Sequence, residues 1–409
     1  MVSSFYATLR EDYAGRTIPT RAFRSFMYAQ TVFPTEAHDG TRIARLSLSH
    51  FRNYRDVRLE LNGPSVVLTG ANGSGKTNLL EAISLLVPGR GLRRAPLAEM
   101  QHHAREGHWA VAVELDTPHG PLRIGTGRDP EAAEGDRRVI HIDGRNAKSQ
   151  QTLGDHVAMA WITPDMDRVL AEGPSARRKL LDRLVYSFDP AHAGRVQRYE
   201  KALRERLRLL REGIADTMWL AALEDEMAQT GVAVAAARRH MLRQLQSAIA
   251  ATEGVFPKAD LALRGMAEEF LETQAALLVE DRLRAALART RGDDAQNGTC
   301  AIGPHRSDLL VTHRAKQCPA DLCSTGEQKA LLIAIMLAYV RILAEARNMK
   351  PLFLLDDIAA HLDSARRAAL FEELRALGVQ AWLTGTDAAQ FHPLLPHAQH
   401  FTVDQGRIV

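Results

Sequence analysis

"GANGSGKT", residues 70–77, matches the phosphate-loop pattern G-x-x-x-x-G-K-[ST] at every position. The apolar residues 65–69 before it predict a short buried strand, and residues 77–87 after it predict a helix. In this context the glycines let backbone N–H groups turn toward a phosphate, and the helix N-terminus adds partial positive charge. We therefore predict a nucleotide-binding loop made of Gly70, Ala71, Asn72, Gly73, Ser74, Gly75, Lys76 and Thr77.

A pair of carboxylates ends another apolar segment, "PLFLLDD", residues 351–357. In P-loop folds the carboxyl end of such a parallel strand lies beside the phosphate loop. We expect Lys76 to reach the β- and γ-phosphates of the nucleotide, and Thr77 and Asp356 to hold Mg²⁺. Asp357 is expected to orient or deprotonate the attacking water. The alternative is that one Asp only caps the following helix, for which Asp363 is a further N-cap candidate.

The segment "CSTGEQKALL", residues 323–332, predicts the start of a helix with a capping box formed by Ser324 and Glu327. Gly326 in its first turn is unexpected, because glycine destabilises a helix by up to about 1 kcal/mol relative to alanine. Either this is only a well-capped helix, or its exposed N-terminus faces a negatively charged group. Capping alone explains Ser324 and Glu327 but leaves Gly326 without a reason.

The composition fits a globular protein of two or three domains, with 409 residues, 45% hydrophobic and 25% charged. The longest apolar run, residues 330–340, is about half the length of a membrane helix, so we expect no membrane association. Three cysteines, Cys300, Cys318 and Cys323, match no disulfide ladder or zinc spacing, and a cytoplasmic location is expected. The net charge of +3 is too small to identify a partner, so local clusters must do so.

Strand and helix signals alternate over most of the chain, which predicts an α/β fold. Residues 1–40 lack periodicity and are predicted to be a disordered extension. Residues 41–160 and 296–409 are predicted to form the two halves of one sheet domain, with a strand pair over 42–61 and a hairpin at "HIDGR", 141–145. Between them, residues 161–295 carry helical spacing and are predicted to be an inserted, mainly helical arm.

In this order, and split by a long insertion, these motifs resemble the RecF family, whose fold is the ABC-type P-loop ATPase head of the SMC class. The resemblance runs from about residue 41 to the C-terminus and rests on a set of stretches taken jointly. They are "FRNYRDVRLEL" (51–61), "GANGSGKTNLLEAI" (70–83), "GRGLR" (89–93), "WITPDMDRV" (161–169), "RRKLLDRL" (177–184), "GPHRSDL" (303–309), "CSTGEQKALL" (323–332), "LLDDIAAHLD" (354–363) and "TGTD" (384–387).

The resemblance implies that ATP binds at the phosphate loop, with Mg²⁺ at Asp356 and with Asp357 as the catalytic carboxylate. It also implies a signature helix that acts on a second copy of the chain. In such heads Ser324 and Gly326, together with Gln328, would meet the γ-phosphate bound by the partner, and Lys329 would add positive potential. The expected assembly is an ATP-dependent homodimer with two nucleotides at its interface.

Three positions depart from the pattern of the family. No glutamine that would sense the γ-phosphate is identifiable near Ala160 and Trp161, and Thr384 or Thr386 lies where a switch histidine is usual. Ser307 in "GPHRSD" replaces a common aspartate. The γ-phosphate sensor is therefore left open.

A basic stretch, residues 175–211, holds eleven Lys or Arg against four acidic residues. Helical spacing places much of this charge on one face, which suits phosphate neutralisation without sequence readout, although charge runs are often only solvated surfaces. The candidate DNA contacts are Arg198, Lys201, Arg204 and Arg208, with Arg93 and Arg94 in "GRGLRR" (89–94) as a second cluster.

Together the residues and the resemblance imply an ATP-dependent DNA-binding protein of recombinational repair. Members of the family bind single-stranded, gapped or junction DNA, act with RecR and RecO to load RecA, and serve replication and the SOS response. Whether the chain is an enzyme stays open, and a weak, DNA-stimulated ATPase that works as a switch is expected. The alternatives are an SMC-like DNA-bridging ATPase, a P-loop kinase and a transporter ATPase. The insertion is too short for a long coiled coil, and a kinase completes its site within one chain.

Overall fold

The computed structural model describes residues 40–102, 108–129, 137–214, 216–347 and 349–409. The predicted N-terminal extension lies outside these residues except for Gly40. The chain divides into two compact units. Of the described residues, the first unit comprises those within Met1–Asn62, Gly70–Thr152 and Thr402–Val409, and the second comprises those within Gly63–Thr69 and Leu153–Phe401.

The strands and helices of the described residues follow the predicted alternation. The strands are β1 (Arg42–Phe51), β2 (Tyr54–Glu60), β3 (Ser65–Thr69), β4 (Ala110–Thr117), β5 (Gly120–Arg128), β6 (Arg138–Ile142), β7 (Arg145–Asn146), β8 (Met159–Ile162), β9 (Ala259–Arg264), β10 (Asp308–His313), β11 (Cys318–Pro319), β12 (Leu352–Leu355), β13 (Ala381–Gly385), β14 (Gln399–Asp404) and β15 (Arg407–Ile408). The helices are α1 (Lys76–Ser84), α2 (Pro174–Tyr186), α3 (Ala191–Arg211), α4 (Thr217–Ala251), α5 (Met266–Phe270), α6 (Ala276–Arg289), α7 (Arg291–Asn297), α8 (Thr325–Arg347) and α9 (Ser364–Leu377).

The first unit contains an antiparallel sheet in the order β2-β1-β4-β5-β6-β7. The predicted strand pair over 42–61 is confirmed as β1 and β2, which turn through Arg52 and Asn53. The hairpin predicted at "HIDGR" is confirmed as β6 and β7. Its two turn residues, Asp143 and Gly144, both have positive φ, as two-residue hairpin turns often require.

The second unit is built around parallel strands in the order β3-β13-β12-β8. These strands are short apolar runs because both faces of a parallel sheet are covered. Helix α8 supplies much of the cover, and most of its residues from Gln328 to Leu343 are buried. The α/β fold class predicted from the sequence is confirmed.

The segment predicted as a helical arm contains the long helices α3, α4 and α6, as expected. It also contains β9, a strand that was not predicted, which pairs antiparallel with β10. The apolar alternation of Ala259, Leu261 and Leu263 was the available signal, but one isolated strand inside a helical region is easily overlooked. The predicted boundaries at 160/161 and 295/296 stay a prediction. No helix in the described part of the chain is long and apolar enough to cross a membrane.

Candidate nucleotide-binding site

The phosphate loop lies in the first unit and enters α1 at Lys76. Its shape depends on glycine at Gly75, where φ is 121° and a Cβ would stand 2.4 Å from the Asn53 amide nitrogen. Gly73 also has a positive φ, of 79°, but no atom of the described residues lies within 4 Å of the place its Cβ would occupy. The chain's own packing thus fixes Gly75, whereas the side of the loop at Gly73 is open to a ligand.

Asn53 and Tyr54, from the turn between β1 and β2, hold the loop in place. Asn53 Nδ2 donates a hydrogen bond to the Ser74 carbonyl at 2.8 Å, and Tyr54 Oη donates to the Gly75 carbonyl at 3.0 Å. Asn78 Nδ2 in α1 donates to Asn53 Oδ1 at 2.7 Å. Burial raises the pKa of Tyr54, so this hydroxyl keeps its proton at neutral pH. Sequence reasoning missed both supports, although they lie in the "FRNYRDVRLEL" stretch.

A buried ion pair joins the same turn to α1. The Glu81 carboxylate is 0% exposed and accepts two hydrogen bonds from Arg52, from Nε at 2.9 Å and from Nη2 at 2.8 Å. Arg93, a predicted DNA contact, donates from Nη1 to Asn78 Oδ1 at 2.7 Å and keeps 41% of its side chain exposed. The neighbouring Arg94 is exposed. The basic "GRGLRR" segment is therefore bonded to the helix that follows the phosphate loop.

The polar groups of the loop fit a phosphate. Lys76 Nζ folds back over the loop and donates hydrogen bonds to the Gly70 carbonyl at 2.7 Å and to the Ala71 carbonyl at 2.8 Å. The Ser74 hydroxyl is buried and has no hydrogen-bond partner within the part of the chain that the structure describes. A buried hydroxyl without a partner, in the same loop as a lysine ammonium and the open side of Gly73, is the set of groups that a bound anion would satisfy.

The predicted carboxylates lie in the second unit, at the end of β12. Asp356 is 6% exposed, and its Oδ1 accepts a hydrogen bond from Thr384 Oγ1 at 2.7 Å. The same hydroxyl accepts one from the Asp357 backbone N–H at 2.8 Å. Thr384, near the end of β13, thus connects the two acids. Thr386 is exposed.

Capping does not account for the acids. Helix α9 is capped by Asp363, whose Oδ1 accepts from the Arg366 N–H at 2.8 Å, which confirms the predicted N-cap. The alternative that Asp356 or Asp357 caps this helix is therefore wrong.

The signature segment begins α8 at Thr325. The Glu327 half of the predicted capping box is confirmed, because its Oε2 accepts from the Ser324 N–H at 3.0 Å. Hydrogen bonds from Lys316 and from Ser324 hold the pKa of Glu327 at about 2. Ser324 is exposed, and apart from the adjoining residues and the backbone of its own helix, no atom of the described residues lies within 4 Å of the place where a Cβ on Gly326 would stand. Packing among these residues therefore does not explain the glycine.

The next two residues of the signature point inward. Gln328 is buried, and its Nε2 donates to the Cys323 carbonyl at 2.9 Å. Lys329 is 3% exposed, and its Nζ lies 3.0 Å from Asp167 Oδ2. Lys329 was expected to add positive potential at the start of α8, and this expectation is wrong. The lysine is buried in an ion pair with Asp167, whose negative charge offsets its own.

The four candidate DNA contacts on α3 share one exposed face. Arg198 and Arg204 are 65% and 70% exposed, and their nearest carboxylates are 3.7 and 3.8 Å away. Arg208 is bound more closely, to Glu205 at 2.8 Å and to Glu212 at 2.6 Å. Arg206 in the same helix is fully buried against Glu224 and Asp294. The exposed face of α3 therefore carries less net positive charge than the count of basic residues suggests, and DNA contact stays a prediction.

Comparison with known proteins places these features in a family. The family model described as RecF/RecN/SMC N terminal domain matches residues 42–394. A DNA replication and repair protein RecF of Mesorhizobium japonicum is 50% identical over 371 residues, which cover 90% of this chain and 97% of that protein. The protein of the same name from Brucella suis is 48% identical over 373 residues, covering 90% and 96%.

Among solved structures, the recombination mediator protein RecF-ATPrS in the RecFOR pathway has a similar fold. The TM-score is 0.78 at 24% sequence identity, over 91% of this chain and 98% of that one. The structure described as RecF-ATP in the same pathway gives 0.76 at 23% identity, over 92% and 99%.

Proposed function

The chain belongs to the RecF family, and we propose that it is an ATP-controlled DNA-binding protein of recombinational repair. The observation that carries the proposal is Gly326, a glycine in the first turn of a long helix that packing among the described residues does not require. In the proposal Gly326 contacts the nucleotide bound by a second copy of the chain, because every copy carries a complete phosphate loop. Self-association of the chain would therefore depend on bound ATP.

In this proposal the nucleotide phosphates bind the backbone N–H groups of residues 70–77, with the Lys76 ammonium and the Ser74 hydroxyl as further donors. Thr77 and Asp356 are the residues that would hold Mg²⁺, which when bound neutralises charge on the phosphates. Asp357 orients the attacking water and accepts its proton, and Thr384 fixes the position of both acids. Hydrolysis is proposed to be weak and to end the DNA-bound state.

Self-association uses the N-terminus of α8. Ser324 supplies a hydroxyl, and Gly326 allows the backbone to approach the γ-phosphate bound by the other copy. Gln328 can take part only if its hydrogen bond to the Cys323 carbonyl is released. Ser324 and Gly326 are therefore the two signature residues on which the proposal depends most.

DNA binding is proposed to use the exposed face of α3, with Arg198, Lys201, Arg204 and Arg208, and the Arg93–Arg94 segment. These side chains contact phosphates, so binding is expected to depend on salt and not on base sequence. From the family we also propose a preference for single-stranded, gapped or junction DNA, work with RecR and RecO in loading RecA, and a cytoplasmic location. An SMC-like bridging role is less supported, since the longest helix in the described residues, α4, has 35 residues, about 52 Å.

The test is binding of the full chain to gapped, single-stranded and duplex DNA, with and without ATP, for wild type and Lys76→Arg. We expect ATP to raise the affinity of the wild type for gapped DNA by about tenfold and to leave Lys76→Arg unchanged. Lys148→Arg, at an exposed lysine of the same unit, is the matched control and should behave as wild type. Equal DNA affinity of the wild type with and without ATP would contradict the proposal.

A further inference from the structure

Two of the three cysteines lie on either side of the turn that leads into the signature helix. Cys318 is the first residue of β11, and Cys323 directly precedes Ser324. A short 3₁₀ turn, Ala320–Leu322, joins them, and the Cys323 N–H donates to the Ala320 carbonyl at 3.2 Å. The two cysteines thus lie at the two ends of one short turn.

The two thiols converge on one point. Each sulfur lies 3.5 Å from the same acceptor, the Pro319 carbonyl oxygen. Because both sulfurs lie against one oxygen atom, they are at most about 7 Å apart. Burial raises the pKa of Cys323, and the neighbouring Cys318 thiol raises it further. Cys318 is half-buried, whereas Cys323 is buried within the hydrophobic core of the second unit. The third cysteine, Cys300, donates instead to the Ile302 carbonyl at 3.2 Å.

We propose that Cys318 and Cys323 form a reversible oxidation site, which closes to a disulfide when the protein meets a peroxide. To form the disulfide the sulfurs must approach to about 2.05 Å, and rotation of the two side chains about their shared carbonyl neighbour is the movement that brings them together. In a reducing cytosol such a disulfide is transient, as redox-sensing disulfides are.

The chemistry proceeds in two balanced steps. Cys318, the more exposed sulfur, loses its proton to solvent and attacks one peroxide oxygen as a thiolate. The O–O bond breaks, the sulfur becomes a sulfenic acid, and the departing hydroxide takes up a proton from solvent to give one water. The sulfur of Cys323 then attacks the sulfenic sulfur, the S–O bond breaks, and the departing hydroxide takes the Cys323 proton to give a second water. Two thiols supply two electrons, and one peroxide is reduced to two waters. Because its pKa is raised, Cys323 suits the second step and not the first.

The disulfide would act on the start of α8, and this consequence rests on the proposed function. The Cys323 carbonyl accepts the hydrogen bond of Gln328, and Lys316 pairs with Glu327 across the same loop. Drawing Cys323 toward β11 therefore displaces the carbonyl that fixes the first turn of the helix, beside Ser324. Oxidation is expected to weaken ATP-driven association.

The site is tested by treating the full chain with hydrogen peroxide, blocking free thiols and mapping peptides by mass spectrometry. We expect one disulfide between Cys318 and Cys323, which dithiothreitol reverses. Cys318→Ser should prevent the disulfide and leave Cys323 unmodified, whereas Cys323→Ser should leave Cys318 as a sulfenic acid that dimedone traps. Cys300→Ser is the matched control and should form the disulfide as wild type does. A pairing that includes Cys300, one that joins two chains, or no disulfide at all would overturn the proposal.

Sedimentation with ATP then measures whether the disulfide affects dimerisation, separately from whether it forms. Oxidised wild type should dimerise at least about tenfold more weakly than reduced wild type, and peroxide-treated Cys318→Ser should match the reduced protein. If reduced wild type fails to dimerise with ATP, the proposed function fails while the peptide map still decides the oxidation site. If oxidised and reduced wild type dimerise equally, the link between the disulfide and association is wrong.

Discussion

Replacing Gly326 with alanine distinguishes what the signature helix needs for folding from what it needs for association. Gly326 is the second residue of α8, and no atom of the described residues stands within 4 Å of the added methyl group. Alanine is favoured over glycine in a helix by about 1 kcal/mol, so the variant should unfold with the same free energy as wild type or up to that amount more. In a domain of about 150–250 residues this gain raises Tm by about 2–4 °C.

Association should change in the opposite direction. If the backbone at Gly326 approaches the γ-phosphate on a second copy, the methyl group holds the two apart and shields the N–H groups of the helix end. We expect the ATP-driven dimer to weaken by at least about tenfold, a loss of about 1.4 kcal/mol. Sedimentation velocity over a concentration series, with and without ATP, measures the dissociation constant, and circular dichroism melts of the same preparations measure stability.

Gly292→Ala is the matched control for this experiment. Gly292 is also the second residue of a helix, α7, and it too has no atom of the described residues within 4 Å of the place of its Cβ. Its substitution should affect stability similarly and leave the dimer unchanged. The reasoning is refuted if Gly326→Ala dimerises with the wild-type dissociation constant, or if both substitutions weaken the dimer equally.

Four further predictions concern the supports of the site, its pH dependence and DNA. Arg52→Ala leaves the buried Glu81 carboxylate without its main partner and should lower the free energy of unfolding in urea by about 3 kcal/mol. The control, Arg58→Ala, removes an exposed ion pair and should change that free energy by less than about 1 kcal/mol. Thr384→Val should lower kcat for ATP hydrolysis by about tenfold with little change in KM, and Thr384→Ser should restore it, because the hydroxyl positions Asp356 and Asp357. Burial raises the pKa of Asp182, but hydrogen bonds from Arg238 and His192 outweigh it and hold this pKa at about 2. The folded-state pKa of Asp182 is thus below its unfolded value, so a stabilisation of about 2 kcal/mol is present above about pH 4 and is lost as the pH falls through 2. Urea unfolding between pH 2 and 6 measures this loss. Changing Arg198, Lys201 and Arg204 together to Glu should reduce DNA affinity and lower its salt slope by about 0.9 for each phosphate that the variant no longer neutralises; an unchanged slope would exclude this face of α3.

Local patterns account for most of what the sequence predicted correctly. The strand and helix on either side of residues 70–75, the turn at Asp143–Gly144 and the Asp363 cap each depend on residues within a few positions of one another, so their signals are complete in a short window. The apolar runs that became β3, β12 and β13 were equally local, because parallel strands are buried on both faces.

Features that depend on distant partners could not be predicted. Lys329 was expected to add positive potential, yet its partner Asp167 lies 162 residues away in the sequence. Arg206 was counted in the basic stretch, but its partner Asp294 lies 88 residues away and removes it from the surface. The hydrogen bonds from Asn53 and Tyr54 to the phosphate loop could not be predicted for the same reason, because the sequence of a turn does not indicate which distant loop it will contact.

The backbone of Asp357 gives an independent reason to assign it a function. Its φ is +50°, a left-handed conformation that costs a non-glycine residue about 1–2 kcal/mol. Three other non-glycine residues with positive φ, Arg52, Asp143 and Gln405, lie in two-residue hairpin turns, where the turn requires that conformation. Asp357 instead follows the parallel strand β12, and the Thr384 hydroxyl holds its N–H. A carboxylate held in a strained conformation beside a buried one is consistent with a group that positions a water molecule for attack.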